Sequence, residues 1–496
     1  MKKYIMSIDQ GTTSSRVVLV DSTGRLVSLA AQPFKQIYPK PGWVEHDANE
    51  IWSTVESSAK AALQNIKAQP SDLMAIGITN QRETVIAFRK STGEPLHNAI
   101  VWQCRRTTEM CERLKKSWAL KIKNKTGLVL DPYFSATKMR WLIENSPAVR
   151  KALVEKDLAF GTIDTFLMWN LSSKKIFATD VSNASRTMLM NLKTGQWDAE
   201  LLRLFKVPLE CLPEIKSSSG LFGYASNCSF AANDTAIAGV AGDQQAALFG
   251  QTCFNVGDSK CTFGTGSFIL MNTGPKILKS KSGCLTTVAW RLGNQKMQYA
   301  LEGGAFICGA AVSWLRDGLQ LFEKSSEVEE LAHQVEDAGG VEFVPALAGL
   351  GAPYWNPHAR GEITGLTRGS TRAHIARATL EAMAMQNADI LLAMQKDLGK
   401  KMKRLRVDGG ASANNLLMQL QANYLGTLVD RPQQIETTAM GAAYLAGLGV
   451  GHWKNPDEIR KIWKIDKEFK SAMTAKALQQ RRKSWLLAIK KSTLTN

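Results

Sequence analysis

Two stretches of this chain, roughly half its length apart, carry one pattern: an apolar strand, a short turn of Gly and Thr, and a second apolar strand. The first runs through residues 3–9, turns at Gln10-Gly11-Thr12-Thr13-Ser14-Ser15 and returns through residues 16–21. The second spans residues 260–271, with Gly264-Thr265-Gly266 at its turn. One supersecondary device repeated at that distance points to an internal duplication. Gly/Thr turns between strands are common, so the duplication rests on pattern and not on identity. It predicts two α/β domains facing each other, residues 1–250 and 251–496.

The rest of the chain fits an α/β reading. A third strand follows at 25–31, and residues 48–68 have helical spacing with Trp52, Val55, Ala59, Ala62 and Ile66 on one side. Residues 74–79 and 85–88 read as strands, as do 235–240 and 405–407. Such alternation puts polar site residues at strand ends.

A chain of 496 residues is long enough for two such domains. With 44% hydrophobic and 21% charged residues it is neither a disordered nor a collagen-like chain. No apolar run approaches the ~18 residues a spanning helix needs. Residues 1–9 lack the apolar core and cleavage site of an export signal. The eight cysteines form no CxxC pair, which suits reduced core thiols and a cytoplasmic location.

The net charge of +18 raises the question of nucleic acid. Its distribution argues against that partner. Residues 460–496 hold 11 Lys/Arg and 2 Asp/Glu, a net of +9, and no RNP-like or helix-turn-helix signal accompanies them. There Ile462, Ile465, Phe469, Met473 and Ala477 are spaced to stripe one face of a basic, solvated helix.

Five polar clusters can carry chemistry. In 9–16, Gly11 admits an anion close to backbone, Thr12, Thr13 and Ser14 offer hydroxyls, Arg16 offers charge, and Asp9 can hold Mg²⁺. Gly264-Thr265-Gly266 is the matching cradle, and two loops closing on one triphosphate suit phosphoryl transfer. Gly409-Gly410 and Asn414 are either a nucleotide-facing turn or a tight turn with a helix cap. Asp243, after a small apolar strand, is either a base that takes a hydroxyl proton or a helix N-cap. Thr79-Asn80-Gln81-Arg82-Glu83 can pair with the hydroxyls of a polyol, or it is a surface salt-bridge loop.

These clusters lie within longer stretches: SIDQGTTSSR (7–16), GITNQRET (77–84), NAIVWQCRRT (98–107), SNASRTML (182–189), AGDQQAALFG (241–250), FGTGSF (263–268), LEGGAFICGAAVSWLRD (301–317) and RVDGGASANN (406–415). YFSATKMRWLIEN (133–145) and GEITGLTRGSTRAHIARATLE (361–381) stand as two signature segments. By these motifs the sequence resembles the FGGY family of carbohydrate kinases, and within it the glycerol kinases. The resemblance runs from Asp9 to about Gly451.

The resemblance implies two actin-like (ribonuclease H-like) ATPase domains flanking a nucleotide and substrate cleft. It implies ATP and Mg²⁺, and phosphorylation of glycerol to sn-glycerol 3-phosphate. By position, Asp243 would be the general base, with Arg82, Glu83, Tyr133, Asp243 and Gln244 on glycerol's hydroxyls. Trp102 and Phe268 would wall its carbons. Thr12, Thr13, Ser14, Arg16 and Thr265 would contact phosphates, and Gly309, Ser313, Gly410 and Asn414 would surround the nucleoside. Asp9 and Asp243 would place Mg²⁺. A homo-oligomer, dimer or tetramer, is also implied. Ser313 stands where the family often carries Gln, and Phe263 where it usually carries Tyr. Residues 227–234 lack the Gly-rich, Arg-bearing character of a loop that binds fructose 1,6-bisphosphate in bacterial relatives. They also lack a His that could be phosphorylated.

Overall fold

The computed structural model describes residues 3–173, 175–226 and 228–493; Asn227, in the loop just named, lies outside them. Its first half is built on a six-stranded sheet. In chain order the strands are β1 (Tyr4–Gln10), β2 (Ser14–Asp21), β3 (Leu26–Pro33), β4 (Leu73–Asn80), β5 (Ser219–Tyr224) and β6 (Ala236–Gly242). Their spatial order is β5-β6-β4-β1-β2-β3. Helix α1 (Ala48–Asn65) packs Ile51, Val55, Ala59 and Ala62 into its core, and Asp47 caps it by accepting from the Asn49 and Glu50 amides. Helix α2 (Asp243–Gly250) follows β6 without a loop.

The second sheet has seven strands. They are β7 (Ser259–Phe263), β8 (Ser267–Gly274), β9 (Leu285–Trp290), β10 (Gln298–Ala305), β11 (Arg404–Asp408), β12 (Leu428–Pro432) and β13 (Ile465–Phe469). Their order is β9-β10-β8-β7-β11-β12-β13. Three antiparallel strands are followed by two parallel additions and an antiparallel edge in both sheets. Thus β3-β2-β1-β4-β6-β5 matches β10-β8-β7-β11-β12-β13 strand for strand. The two Gly/Thr hairpins are equivalent elements of one duplicated topology.

Four helices complete what the site needs: α3 (Arg372–Leu398), α4 (Asn415–Leu425), α5 (Thr437–Gly449) and α6 (Ala475–Ser492). Although α5 comes from the second half, it lies on the first sheet and against α2. Small residues make this approach possible. A Cβ at Gly441 would sit 1.8 Å from the Ala246 carbonyl oxygen, and one at Gly77 would sit 2.3 Å from that of Ala442. We therefore expect Gly441→Ala to force α2 and α5 apart and to destabilise the fold by about 2 kcal/mol or more. Chemical denaturation checks this, and an unchanged midpoint would contradict the packing.

One expectation fails in the C-terminal segment. Ile462, Ile465, Phe469, Met473 and Ala477 do not share a helix face. A helix ends at Ile462, residues Ile465–Phe469 pair antiparallel with β12, and α6 begins only after the Thr474 cap. The spacing was compatible with a helix, but Ile465, Lys467 and Phe469 also alternate, and the open edge of β12 selects the strand. Nor is α6 wholly solvated. Arg481 pairs with Glu342 and Glu381, and Arg482 with Asp389, which also accepts from Trp485 Nε1 at 2.6 Å.

Seven of the eight cysteines are buried, Cys228 is half-buried, and none forms a disulfide. Among the described residues no helix is long and apolar enough to cross a membrane.

Candidate active site

Parallel neighbours in a sheet end at the same edge, and that edge is where polar side chains can collect. Gln10 of β1 and Gly242 of β6 both pair with Asn80 of β4. Asp9, Thr12, Arg82, Glu83 and Asp243 therefore emerge together. In the second sheet Thr262 pairs with Asp408, which brings Gly264-Thr265-Gly266 beside Gly409-Gly410.

A small cavity of about 70 Å³ lies at this edge, lined by Thr12, Arg82, Glu83, Trp102, Tyr133, Asp243 and Phe268. Six of these are among the seven residues the resemblance assigns to a polyol, and Thr12 joins them from the first Gly/Thr turn. Trp102 meets Tyr133 and Phe268 edge-on, at ring-centroid distances of 5.5 and 6.3 Å. Its Nε1 donates to Thr12 Oγ1 at 3.0 Å. A larger cavity of about 510 Å³ beside α5 contains none of the candidate site residues.

The alternative of a surface loop at 79–83 is excluded by burial: Arg82 is 3% exposed and Glu83 1%. Arg82 grips Glu302 of β10 with two hydrogen bonds, at 2.6 and 3.2 Å, and its Nε lies 3.0 Å from Asp243 Oδ1. Arg186 donates to Glu83 Oε1 at 2.7 Å and to Glu302 Oε1 at 2.8 Å. Two guanidinium groups and three carboxylates thus form one nearly dry network with a net charge of −1. Burial alone would raise Glu302, but Arg186 and Arg82 outweigh it and hold its carboxyl below the ordinary range. Burial pushes Glu83 and the Tyr133 phenol up. Glu83 also sits at φ 62, in the left-handed region that costs a non-glycine residue free energy.

Sequence reasoning missed Arg186 and Glu302. Both fall inside family stretches, SNASRTML and LEGG, but the pairs span 103 and 220 positions. Nothing local announces them.

Asp243 is the first residue of α2, and the cap position is held by Gly242. The N-cap alternative therefore fails. Its carboxylate faces the cavity. Gln244 does not line the cavity. It sits beside Asp243, with its Nε2 3.3 Å from Asp243 Oδ2 and its Oε1 accepting from Lys260.

Around the first Gly/Thr turn, Thr13 is exposed and Thr12, Ser14 and Arg16 are half-buried. Arg16 pairs with Glu436 at the start of α5 and lies 4.0 Å from Asp9. Burial pushes the Asp9 carboxyl up to about 7; Arg16 opposes this, while Asp243 and Glu436 add to it. In the second turn Thr265 is exposed, and its carbonyl accepts from Cys308 and Ala310 at 2.9 and 3.0 Å. Gly309 donates to Gly264 at 3.0 Å and opens the helix Gly309–Asp317, where Ser313 lies one turn on. Gly409, at φ 84, lies so near Phe263 that a Cβ would meet its carbonyl oxygen at 2.5 Å. Gly410 faces open space. Asn414 caps α4 by accepting from the Leu417 amide at 2.7 Å, which bears out the cap alternative.

The donor set suits Mg²⁺. That ion needs only one or two carboxylates beside phosphate oxygens and water. Asp9 and Asp243 are hard oxygen ligands, and they lie close enough for Asp243 to oppose the ionisation of Asp9.

Residues 4–250 match the N-terminal domain of the FGGY family of carbohydrate kinases, and residues 259–450 its C-terminal domain. A glycerol kinase from Bdellovibrio bacteriovorus is 59% identical over 99% of both chains. One from Thermoanaerobacter sp. is 54% identical, again over 99% of each. The crystal structure of Plasmodium falciparum glycerol kinase with ADP superposes with a TM-score of 0.93 at 38% identity, covering 99% of this chain and 98% of that one. With a duplicated fold, a polar cavity between its halves and matches over nearly its whole length, this chain belongs to the FGGY family of carbohydrate kinases.

Proposed function

We propose that the protein phosphorylates glycerol with ATP, giving sn-glycerol 3-phosphate and ADP. The cavity of about 70 Å³ carries this proposal. It is small, and it is walled by paired donors and acceptors on one side and by rings on the other. Glycerol has three hydroxyls and little apolar surface, so such a site binds it through satisfied hydrogen bonds. It rejects analogues that leave a buried group unpaired. The names of the similar proteins point the same way.

Asp243 accepts the proton of the attacking hydroxyl. Arg82, Glu83 and Tyr133 hold the other hydroxyls, while Trp102 and Phe268 pack against the carbons. Gln244 supports Asp243 from the side. Thr12, Thr13, Ser14 and Arg16 from one hairpin, and Thr265 from the other, bind phosphate oxygens and align the γ-phosphate with that hydroxyl. Gly309, Ser313 and Gly410 flank the nucleoside, and Asn414 shapes that wall as the α4 cap. Asp9 and Asp243 would hold Mg²⁺, whose charge offsets that of the phosphates. Closure of the halves keeps water from the phosphate.

Initial rates with Mg-ATP and a panel of glycerol, dihydroxyacetone, erythritol and xylulose test this. The expected result is a kcat/KM for glycerol at least about 100-fold above that for xylulose. A preference for the five-carbon sugar would reassign the substrate.

A further inference from the structure

Lys260 lies on β7, is fully buried, and takes no part in the steps above. Its Nζ donates to Gln244 Oε1, to Thr262 Oγ1 at 2.8 Å and to the Phe268 carbonyl at 3.4 Å. All three acceptors are uncharged, and among the described residues the ammonium makes no ion pair. Burying a cation on neutral oxygens alone is expensive. Burial accordingly draws Lys260 below the ordinary lysine range, with Asp408 and Asp243 opposing from a distance.

The geometry shows what the cation does. A Gln amide has one accepting and one donating end, and its orientation follows from its partners. The Lys260 ammonium has only donors, so it fixes Oε1 of Gln244 toward itself. The amide NH2 is thereby turned to Asp243, with Nε2 3.3 Å from Oδ2. The other carboxylate oxygen, Oδ1, receives the Gln244 amide N–H at 2.7 Å and Arg82 Nε at 3.0 Å. Gln244 stands on α2, after the first sheet, whereas Lys260, Thr262 and Phe268 belong to the hairpin that carries Thr265.

We propose that Lys260 is a positioning residue for phosphoryl transfer: by locking the Gln244 amide it sets the Asp243 carboxylate against the β7–β8 hairpin. This rests on Asp243 being the base. The chain Lys260–Gln244–Asp243 then ties the base to the phosphate cradle of the opposite half, so closure brings both into register together.

The test compares Lys260→Met, Gln244→Leu and the double variant with the parent protein, using kcat, both KM values and the melting temperature. Each single variant is expected to lose about 10- to 100-fold in kcat, as a misplaced catalytic group does. KM for glycerol and ATP should change by less than about threefold. The double variant should be no slower than the slower single, because both changes cut one link. A kcat near the parent's in Lys260→Met, or losses that multiply in the double variant, would overturn the proposal. Should Lys260→Met fail to fold, Gln244→Leu cuts the same link and an unchanged kcat in it decides the matter. An active Asp243→Asn protein would instead remove the base assignment, whatever the lysine variants do.

Discussion

Asp243→Asn is expected to lower kcat for glycerol phosphorylation by about 10²- to 10⁴-fold while the fold and ADP affinity persist. The range is that of a lost general acid–base group. Asparagine keeps the shape of the side chain, and its carbonyl oxygen can still face Arg82 Nε, now 3.0 Å from Oδ1. What goes is the ability to take a proton, together with one of two carboxylates suited to Mg²⁺. The phosphate and nucleoside contacts proposed above lie on other elements: residues 12–16, the turn at 264–266, the helix Gly309–Asp317 and the segment 409–414. ADP binding by calorimetry should therefore stay within about threefold of the parent, since uniform binding is untouched. Turnover near the parent's level would remove Asp243 from its role.

Glu302→Ala should have the second large effect, on stability and substrate affinity together. Glu302 is 3% exposed and receives both Arg82 and Arg186. Without it two buried guanidinium groups face each other with only Glu83 and Asp243 to balance them. Breaking a buried ion pair from one side costs about 3–5 kcal/mol. Arg82 would also lose the grip that aims it into the cavity, so KM for glycerol should rise. Adding Arg186→Met removes one of the two guanidinium groups left without their Glu302 partner and should return part of the lost stability but not the affinity. Urea denaturation and initial rates separate the two. Loss of neither stability nor affinity in Glu302→Ala would mean the network is incidental to the site.

Much of the site was legible because its signals are local. Gly11, Gly264 and the Thr residues beside them mark hairpin turns within a few positions of their strands. Asp243 was visible as an acid at the end of a small-residue strand. The duplication could be inferred from two hairpins, although the parallel additions β4, β6, β11 and β12 could not be ordered without the structure. What escaped is long-range. The cluster at 79–83, taken by itself, favours a surface salt-bridge loop, because its partners Arg186 and Glu302 lie far along the chain. Gln244 does not line the cavity, and its Oε1 accepts from Lys260, a residue with no local mark of function. The stripe from Ile462 to Ala477 matched a helical period by coincidence, and the free edge of β12 decided for a strand.

Glycerol-dependent ADP release from Mg-ATP by the purified protein tests the central claim most directly. The account predicts strong turnover with glycerol and only slow ADP release without it, because a water molecule lacks the contacts that align a glycerol hydroxyl with Asp243 and the γ-phosphate. ADP release that is the same with and without glycerol would contradict it.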